Sequence, residues 1–352
     1  MPAASMDTFL GCSLMILLVL SSMIGASKLV MPYSDQLSRN SAERYQKLFQ
    51  YILTSTGTPS NWGSDRGVVP TSFGLAPTNL VNSYELDIDK ISRLNDRNTY
   101  VLTYEQIIES LGMQDVTLRI EVDTLFSVST TLTNSSVNGN QTIYTFEVVA
   151  KKSEIPVQAS LRCYAFVHNY VQSINSSTSS SGTASLNVTL PNSINGTALF
   201  IVLARACSQV FAFDVYRFIH ITGSTLPDGS FLRASPLNYT AYIDLLYSGE
   251  TITSAKIFSY NFNFSMTQTG SGNQTAQYSI PRLLDPGPTI LALTGINSSL
   301  RFAEWVFYPQ LPLGIGISFD DLDLRSNIIP ITSICIISFA LYQITAKFGG
   351  PR

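Results

Sequence analysis

The chain has 352 residues, a formal net charge of −3 and 13% charged residues, about half the share that is usual in soluble globular proteins. Its Lys and Arg residues form no cluster that would neutralise phosphates, which argues against nucleic acid as a partner. The low charge and the 45% hydrophobic residues are typical of an exported, membrane-attached protein.

The first feature along the chain is an uncharged apolar segment from Thr8 to Ser27. Its length is about what a helix needs to cross a hydrocarbon layer of roughly 30 Å. We therefore predict a transmembrane helix within residues 1–32 and the lipid bilayer as a partner. Ile24-Gly25-Ala26 would also serve as a signal cleavage site, although the leader before the segment has no Lys or Arg, so a cleaved signal stays open as the alternative.

For residues 33–114 we predict a helical stem and a small head. Tyr45, Leu48 and Ile52 recur at spacings of three and four, which indicates an amphipathic helix, and its other face carries Glu43 and Lys47. A segment rich in Gly and Pro follows, from residue 57 to residue 82, and predicts turns.

Two short helices are predicted at the end of the head. The first spans about Asp87 to Leu94, where Asp87 and Asp89 lie at the helix start and are explained by capping. The second opens with a capping box formed by Thr103 and Gln106 and stops at Gly112.

The residues of this region resemble archaeal pilin-like surface proteins. The resemblance covers the first third of the chain and is carried by these motifs in order: Gly57-Thr58-Pro59-Ser60-Asn61-Trp62-Gly63, Phe73-Gly74-Leu75-Ala76, Leu86-Asp87-Ile88-Asp89-Lys90-Ile91, and Leu111-Gly112. It implies an exported archaeal protein whose N-terminal helix acts as a spine. The usual prepilin cleavage signal is missing between Met1 and Phe9. The residues themselves favour a loop that packs Trp62 on the head; sugar stacking by its indole is the alternative.

From Val116 the period of the apolar residues changes to two, which predicts half-buried strands. About six short strands within residues 115–222 predict an immunoglobulin-like β-sandwich, and the segment from Ile155 to Val167 is similar to Ig-like surface modules in pattern. Turn residues near Pro227-Asp228-Gly229 predict a boundary. A second β-sandwich is predicted within residues 223–325. Its aromatic run Trp305 to Tyr308 lies either at the membrane surface or in the packing of the module.

A second uncharged apolar segment runs from Ser326 to Ala346. We predict that residues 326–352 form a C-terminal transmembrane helix and a short tail. The tail carries Lys347 and Arg352, which favours a cytoplasmic C-terminus and a body outside the cell. The whole prediction is thus a mainly β protein, with two tandem Ig-like sandwiches on a helical, membrane-proximal module between two transmembrane helices.

The asparagines support a body that faces outside. From Asn134 onward, nine of fourteen asparagines match the acceptor pattern Asn-x-Ser/Thr, and none matches before it. Ser and Thr make up 76 of 352 residues, so about a fifth would match by chance, and a simple effect of composition stays open. The predicted glycosylation sites are Asn134, Asn140, Asn175, Asn187, Asn195, Asn238, Asn263, Asn273 and Asn297.

Two of the four cysteines, Cys163 and Cys207, lie outside the apolar segments, each in a strand-like run. A disulfide between them is one interpretation and two free thiols are the other, because spacing alone does not supply the distance that a bridge requires.

The sequence contains no motif of a catalytic or metal site, so neither an enzyme nor a cofactor is predicted. His168 and His220 are isolated, and each is interpreted as a strand residue. Asp320, Asp321 and Asp323 indicate a solvated stalk, with calcium binding as the alternative.

Two functions of different classes follow from these patterns. The first is a glycosylated structural or adhesive surface protein that self-associates, or joins surface-layer or pilus-like proteins, through the region before Asn134. The second is an ectodomain that binds a ligand or polysaccharide, or an accessory subunit of an exported enzyme, secretion or transport complex.

Overall fold

A computed structural model describes residues 15, 18–23, 41–79, 82–223, 226–282, 287–298, 300–311, 314–316 and 328–349. The chain divides into two compact units, Met1–Gln50 and Tyr51–Arg352. Strands make up 54% of the structure and helices 12%, so the prediction of a mainly β chain is confirmed. In chain order, the strands of the described residues are β1 (Thr117–Thr124), β2 (Ser127–Asn138), β3 (Gln141–Lys152), β4 (Ile155–Pro156), β5 (Ser160–Val167), β6 (Tyr170–Ser177), β7 (Thr183–Pro191), β8 (Gly196–Cys207), β9 (Val210–His220), β10 (Leu232–Leu237), β11 (Thr240–Leu245), β12 (Glu250–Phe258), β13 (Asn263–Ser265), β14 (Thr267–Gly272), β15 (Thr275–Ser279), β16 (Thr289–Asn297), β17 (Leu300–Tyr308), β18 (Ile315–Gly316), β19 (Ile329–Ile337) and β20 (Ala340–Gly349).

The helices lie where the sequence predicts them. Residues 41–54 are helical (α1), with Tyr45, Leu48 and Ile52 buried and Glu43 and Lys47 exposed. The other two helices are α2 (Ile88–Ser92) and α3 (Tyr104–Leu111). Residues 15 and 18–23 are also helical.

The caps of α2 and α3 follow the sequence signals. The Asp87 side chain accepts hydrogen bonds from the backbone N–H groups of Asp89 and Lys90 at the start of α2. Both bonds of the capping box between Thr103 and Gln106 are formed, and Gly112 ends α3 in a left-handed conformation with φ of 65°.

Trp62 is the centre of the head. Its side chain is fully buried and stacks on Phe73, with ring centres 5.8 Å apart, while its indole Nε1 donates to the Gly74 carbonyl at 3.2 Å. The buried Lys90 ammonium lies 5.7 Å from the indole ring and donates to the carbonyls of Thr56 (2.8 Å) and Ala76 (2.6 Å). The indole therefore packs the head, and its burial excludes sugar stacking.

A first β-sandwich is formed by strands β2 to β9. One sheet has the order β2-β3-β7, with the short β4 also paired to β3, and the other has the order β6-β5-β8-β9. Their facing sides share one core, in which Phe146 stacks on Phe200 with ring centres 4.2 Å apart. This sandwich begins at Ser127 rather than at residue 115, because β1 pairs with β18 and β20 instead.

A second β-sandwich is formed by strands β10 to β17. Its sheets have the orders β10-β11-β15-β14 and β13-β12-β16-β17, and their facing sides share a core in which Phe231 stacks on Phe302 at 4.6 Å. The strand order repeats that of the first sandwich, with β12, β13, β16 and β17 in the places of β5, β6, β8 and β9. The two sandwiches are structural repeats of one unit.

The two sandwiches pack on each other through equivalent sheets. A third core lies between the sheet of β5, β6, β8 and β9 and the sheet of β12, β13, β16 and β17. Equivalent strands meet there: Tyr164 of β5 contacts Phe258 of β12 with ring centres 5.0 Å apart, and Phe213 of β9 contacts Phe307 of β17 at 3.7 Å. This is the arrangement of a symmetric dimer interface within one chain. The aromatic run around Trp305 belongs to this packing.

The C-terminal segment corrects a prediction. Residues 329–349 form the hairpin β19–β20, and β20 pairs along its length with β1, so the predicted C-terminal transmembrane helix is wrong. The apolar residues alternate along the strands: Tyr342, Ile344 and Ala346 are buried while the residues between them are half-exposed. This period of two, rather than the apolar content, decides the structure of the segment.

The charge that favoured a cytoplasmic C-terminus has another explanation. The Lys347 ammonium donates to the Glu121 carboxylate of β1 at 2.9 Å, so it stabilises the sheet and is no evidence of topology. None of the helices that the structure describes is both long enough and apolar enough to span a bilayer. The predicted N-terminal span, Thr8 to Ser27, lies mostly outside the described residues, as do Asp320, Asp321 and Asp323.

Candidate functional site

A polar recess lies between the two sandwiches, beside their shared core. It has a volume of about 330 Å³. Strands β5 and β6 form one wall, and the loop after β12 forms the other. We call this recess the cleft. The side chains there that can recognise a ligand are Ser160, Arg162, Asn175, Tyr260 and Asn261; Ser176 also lines the cleft, but it pairs with Leu161 of the inner core and its side chain lies on the other face of β6.

The Arg162 guanidinium is held in place by its neighbours. Its Nε donates to the Tyr164 hydroxyl at 3.2 Å, and one terminal nitrogen donates to Oδ1 of Asn175. Tyr164 in turn donates to the Ser259 carbonyl of the other sandwich at 3.0 Å. Because Arg162 is fixed by side chains on both sides, its orientation toward the cleft costs little additional entropy on binding.

A second guanidinium lies beside the cleft. Arg205 pairs with Ser160 across β5 and β8, so Arg162 and Arg205 are diagonal neighbours on one face of the sheet. Arg205 lies over the Tyr260 ring, 4.3 Å from its centre. Among the described residues, neither guanidinium forms an ion pair with a carboxylate, and no acidic residue lines the cleft.

A buried carboxylate joins the head to the second sandwich. Asp89 accepts hydrogen bonds from the Asn238 backbone N–H and the Tyr308 hydroxyl, both at 2.8 Å. Burial raises the Asp89 pKa to about 6, and the neighbouring Asp87 carboxylate adds to the increase. The sequence explained Asp89 by capping, but only Asp87 caps the helix, and the contacts of Asp89 arise from residues more than a hundred positions away.

Glu304 forms a second buried polar junction. Its carboxylate accepts from the backbone N–H groups of Gly229 (2.9 Å) and Ser230 (3.1 Å) and pairs with Arg217 at 2.9 Å. Burial raises its pKa in spite of these partners. Glu304 lies in β17 of the second sandwich and Arg217 in β9 of the first, and together they hold the turn before β10 in place. The role of Glu304 is therefore structural.

The histidines are not brought together. His220 lies at the end of β9, fully buried, with Nδ1 2.9 Å from the Tyr144 hydroxyl and Nε2 3.1 Å from the Pro191 carbonyl. His168 lies in the turn between β5 and β6 rather than in a strand. In the part of the chain that the structure describes, no three His, Cys, Asp or Glu side chains are grouped so that they could hold a metal ion.

Of the two interpretations of Cys163 and Cys207, the structure has the free thiols and not the disulfide. Cys163, Cys207 and Cys335 are all free cysteines. Cys163 pairs with Val202 of β8, five positions before Cys207 in that strand, and a strand advances about 3.3 Å per residue. The two sulfurs therefore lie far apart. Burial raises the Cys163 pKa to about 12, so this thiol is inert as well as buried.

The acceptor asparagines lie mainly on the surface. Asn195 and Asn297 are half-buried. The other seven are exposed: Asn134, Asn140, Asn175, Asn187, Asn238, Asn263 and Asn273.

The hydrogen bonds of the asparagines divide them further. The Asn187 side-chain oxygen accepts a hydrogen bond from the Thr145 hydroxyl at 2.9 Å. The side-chain nitrogen, which would carry a sugar, takes no part in that bond. In Asn297 the nitrogen itself donates to the Glu250 carboxylate at 3.0 Å. Asn134 is the neighbour of Thr145 on the other side, so Asn134 and Asn187 flank one residue of β3 on the outer face of the first sandwich.

The comparisons with known proteins leave the family open. No family model and no curated protein matches this chain. Among solved structures, the similar ones include a transglutaminase from red sea bream (12% identity, TM-score 0.22, 57% of this chain), a DUF3823 family protein from Bacteroides ovatus (11%, 0.14, 52%) and an I-band fragment of titin (8%, 0.16, 63%). The matches cover 33%, 97% and 88% of those chains, so this chain spans a third of the transglutaminase. TM-scores this low carry no argument about function.

Proposed function

We propose that this chain is a glycosylated, non-catalytic structural or adhesive protein of the cell surface. The observation that carries the proposal is the exposure of seven of its nine acceptor asparagines, on both sandwiches. The excess of such asparagines after Asn134 and their exposure are independent features, since composition alone does not place them on the surface. The Ig-like character of the sandwiches fits the same class, because rigid β modules present surfaces at a distance from their anchor.

The packing supports a mechanical role. Nine successive residues of β8, Gly196 to Ala204, are buried, because sheets cover both of its faces. Two sandwiches that share a core of this kind move as one body, whereas modules joined by a linker would hinge. The N-terminal apolar segment is the anchor in this proposal. The resemblance to archaeal pilin-like proteins adds lateral association through the region before Asn134.

The test is site-by-site glycopeptide mass spectrometry of the protein purified from its own host. We expect glycans at Asn134 and Asn187. Asn297 is the internal control and is expected to be unmodified, because its nitrogen is bonded to Glu250. The absence of sugar from all nine sites would refute the proposal.

Surface exposure is tested separately by adding protease to intact cells. We expect cleavage in residues 51–352, with a cytoplasmic marker protein remaining intact. Crosslinking in native membranes should then give oligomers, and a pattern of monomers alone would remove the self-association. A ligand-binding ectodomain is the second candidate, favoured by the cleft beside Arg162.

A further inference from the structure

The cleft between the sandwiches has the charge of a site for an anion. Arg162 and Arg205 extend from neighbouring strands on the same face, and no acidic residue lines the recess. A guanidinium presents a planar fork of N–H donors that matches a carboxylate or sulfate in two parallel hydrogen bonds. Like charges held close together favour an anion between them, since it relieves their repulsion.

The other side chains point to a ligand that also carries hydroxyl groups. Asn175 and Asn261 contribute amides, and Ser160 contributes a hydroxyl, and all three residues line the recess. Tyr260 adds an aromatic side chain whose ring is already polarised by Arg205. A volume of about 330 Å³ is at the lower end of ligand sites, roughly 300–1,000 Å³, which suits one or two sugar rings.

We infer that this cleft binds an acidic saccharide, a sugar that carries a carboxylate or a sulfate. Arg162 and Arg205 bind the acidic group, and the amides and the Ser160 hydroxyl bind the ring hydroxyls. The inference names a ligand class for the second candidate function. It does not rest on the structural or adhesive function, since it requires neither glycosylation nor an anchor.

The acidic sugar has two sources with the same chemistry. It is either a free oligosaccharide or a glycan that the chain itself carries at Asn175, whose oxygen is bonded to Arg162. Because Arg162 donates to the side-chain oxygen of Asn175, a sugar attached to the side-chain nitrogen leaves this hydrogen bond intact. A glycan at this position would begin at the rim of the cleft.

The test uses the unglycosylated full-length chain and isothermal titration calorimetry. The probes are trigalacturonate, a sulfated heparin tetrasaccharide, the neutral maltotriose and inorganic sulfate. We expect binding of at least one acidic oligosaccharide that weakens with salt, and no binding of maltotriose. Arg162→Gln and Arg205→Gln should each weaken it at least about tenfold.

Lys256→Gln is the matched control. Tyr164 of β5 and Phe258 of β12 contact each other between the sandwiches, and Arg162 and Lys256 each lie two residues before one of these rings. Arg205→Gln keeps the test decisive if Arg162→Gln fails to fold. A second arm compares the native-host protein with its Ser177→Ala variant, which removes the acceptor pattern Asn175-Ser176-Ser177 and keeps the Asn175 side chain. Binding regained in the variant assigns the cleft to the chain's own glycan, and equal binding assigns it to a free sugar.

Three results would overturn the inference. The first is that neither acidic oligosaccharide binds the unglycosylated chain. The second is that both arginine variants bind as the unchanged protein does. The third is that inorganic sulfate binds as tightly as the oligosaccharides, because the site would then recognise an anion without its sugar. None of these results affects the glycopeptide test, so the two proposals fail separately.

Discussion

Asp89 makes the stability of this protein depend on pH in a direction opposite to that of a carboxylate whose pKa is lowered on folding. Its side chain is buried, with 6% of its surface exposed, and it lies between the head and the second sandwich. The perturbation that we consider is Asp89→Asn, which keeps the shape and one acceptor oxygen but removes the titration.

The magnitude follows from the pKa of the folded state. Burial raises the pKa of Asp89 from 3.8 to about 6, and each pKa unit corresponds to about 1.36 kcal/mol. Between pH 4 and pH 6 the folded state binds this proton more tightly than the unfolded state does. The contribution of Asp89 to the free energy of unfolding is therefore fully present below pH 4 and falls by about 3 kcal/mol as the pH rises through 6.

The assay is urea unfolding at pH 4, 5, 6 and 7, followed by the fluorescence of the two tryptophans, the buried Trp62 and the half-buried Trp305. The measured quantity is the free energy of unfolding of the unchanged protein minus that of Asp89→Asn. We expect this difference to fall by about 2.4 kcal/mol from pH 4 to pH 7, since part of the total is already lost at pH 4. Other titrating groups are common to both proteins and cancel in the difference.

Asp96→Asn is the control, since Asp96 lies seven positions further along and its side chain is exposed. A difference for Asp89→Asn that is the same at pH 4 and pH 7 would refute the reasoning. A difference that grows with pH would mean that the two hydrogen bonds outweigh burial, so that the carboxylate is stabilised in its charged form.

Three further predictions concern the packing and the thiols. Phe258→Ala removes a ring between the sandwiches and should lower the free energy of unfolding by about 3–5 kcal/mol in urea unfolding, whereas a loss below about 1 kcal/mol would show that the shared core contributes little. Gly74→Ala places a Cβ 2.3 Å from the Ser55 carbonyl oxygen and should cost about 1–3 kcal/mol by the same measurement, a value that unchanged stability would contradict. Iodoacetamide should label Cys207 in the folded protein and Cys163 only after unfolding, because Cys163 is buried and burial raises its pKa to about 12. Peptide mass spectrometry measures the labelling. Equal labelling of the two thiols in the folded protein, or protection of both by a disulfide, would contradict this prediction.

The local elements could be predicted because their signals are local. The capping box of Thr103 and Gln106, the stop at Gly112 and the buried stripe of α1 each depend on residues within a turn or two of one another. The two sandwich regions followed from alternation of polar and apolar residues. Such patterns hold in any tertiary context that leaves one face of the element exposed.

Long-range packing decided the rest. Whether the apolar run before Ala346 spans a membrane or forms a sheet depends on β1, more than two hundred residues away, which covers its polar backbone groups. The fusion of two repeated sandwiches, the burial of Asp89 and the meeting of Arg162 with Tyr260 likewise join distant segments. The sequence by itself determined the helices with their caps, the two strand-rich regions and the acceptor asparagines. Only the tertiary structure decided which faces of the sheets and helices pack together. The fit between two surfaces that are distant in sequence leaves no repeating pattern of residues along the chain.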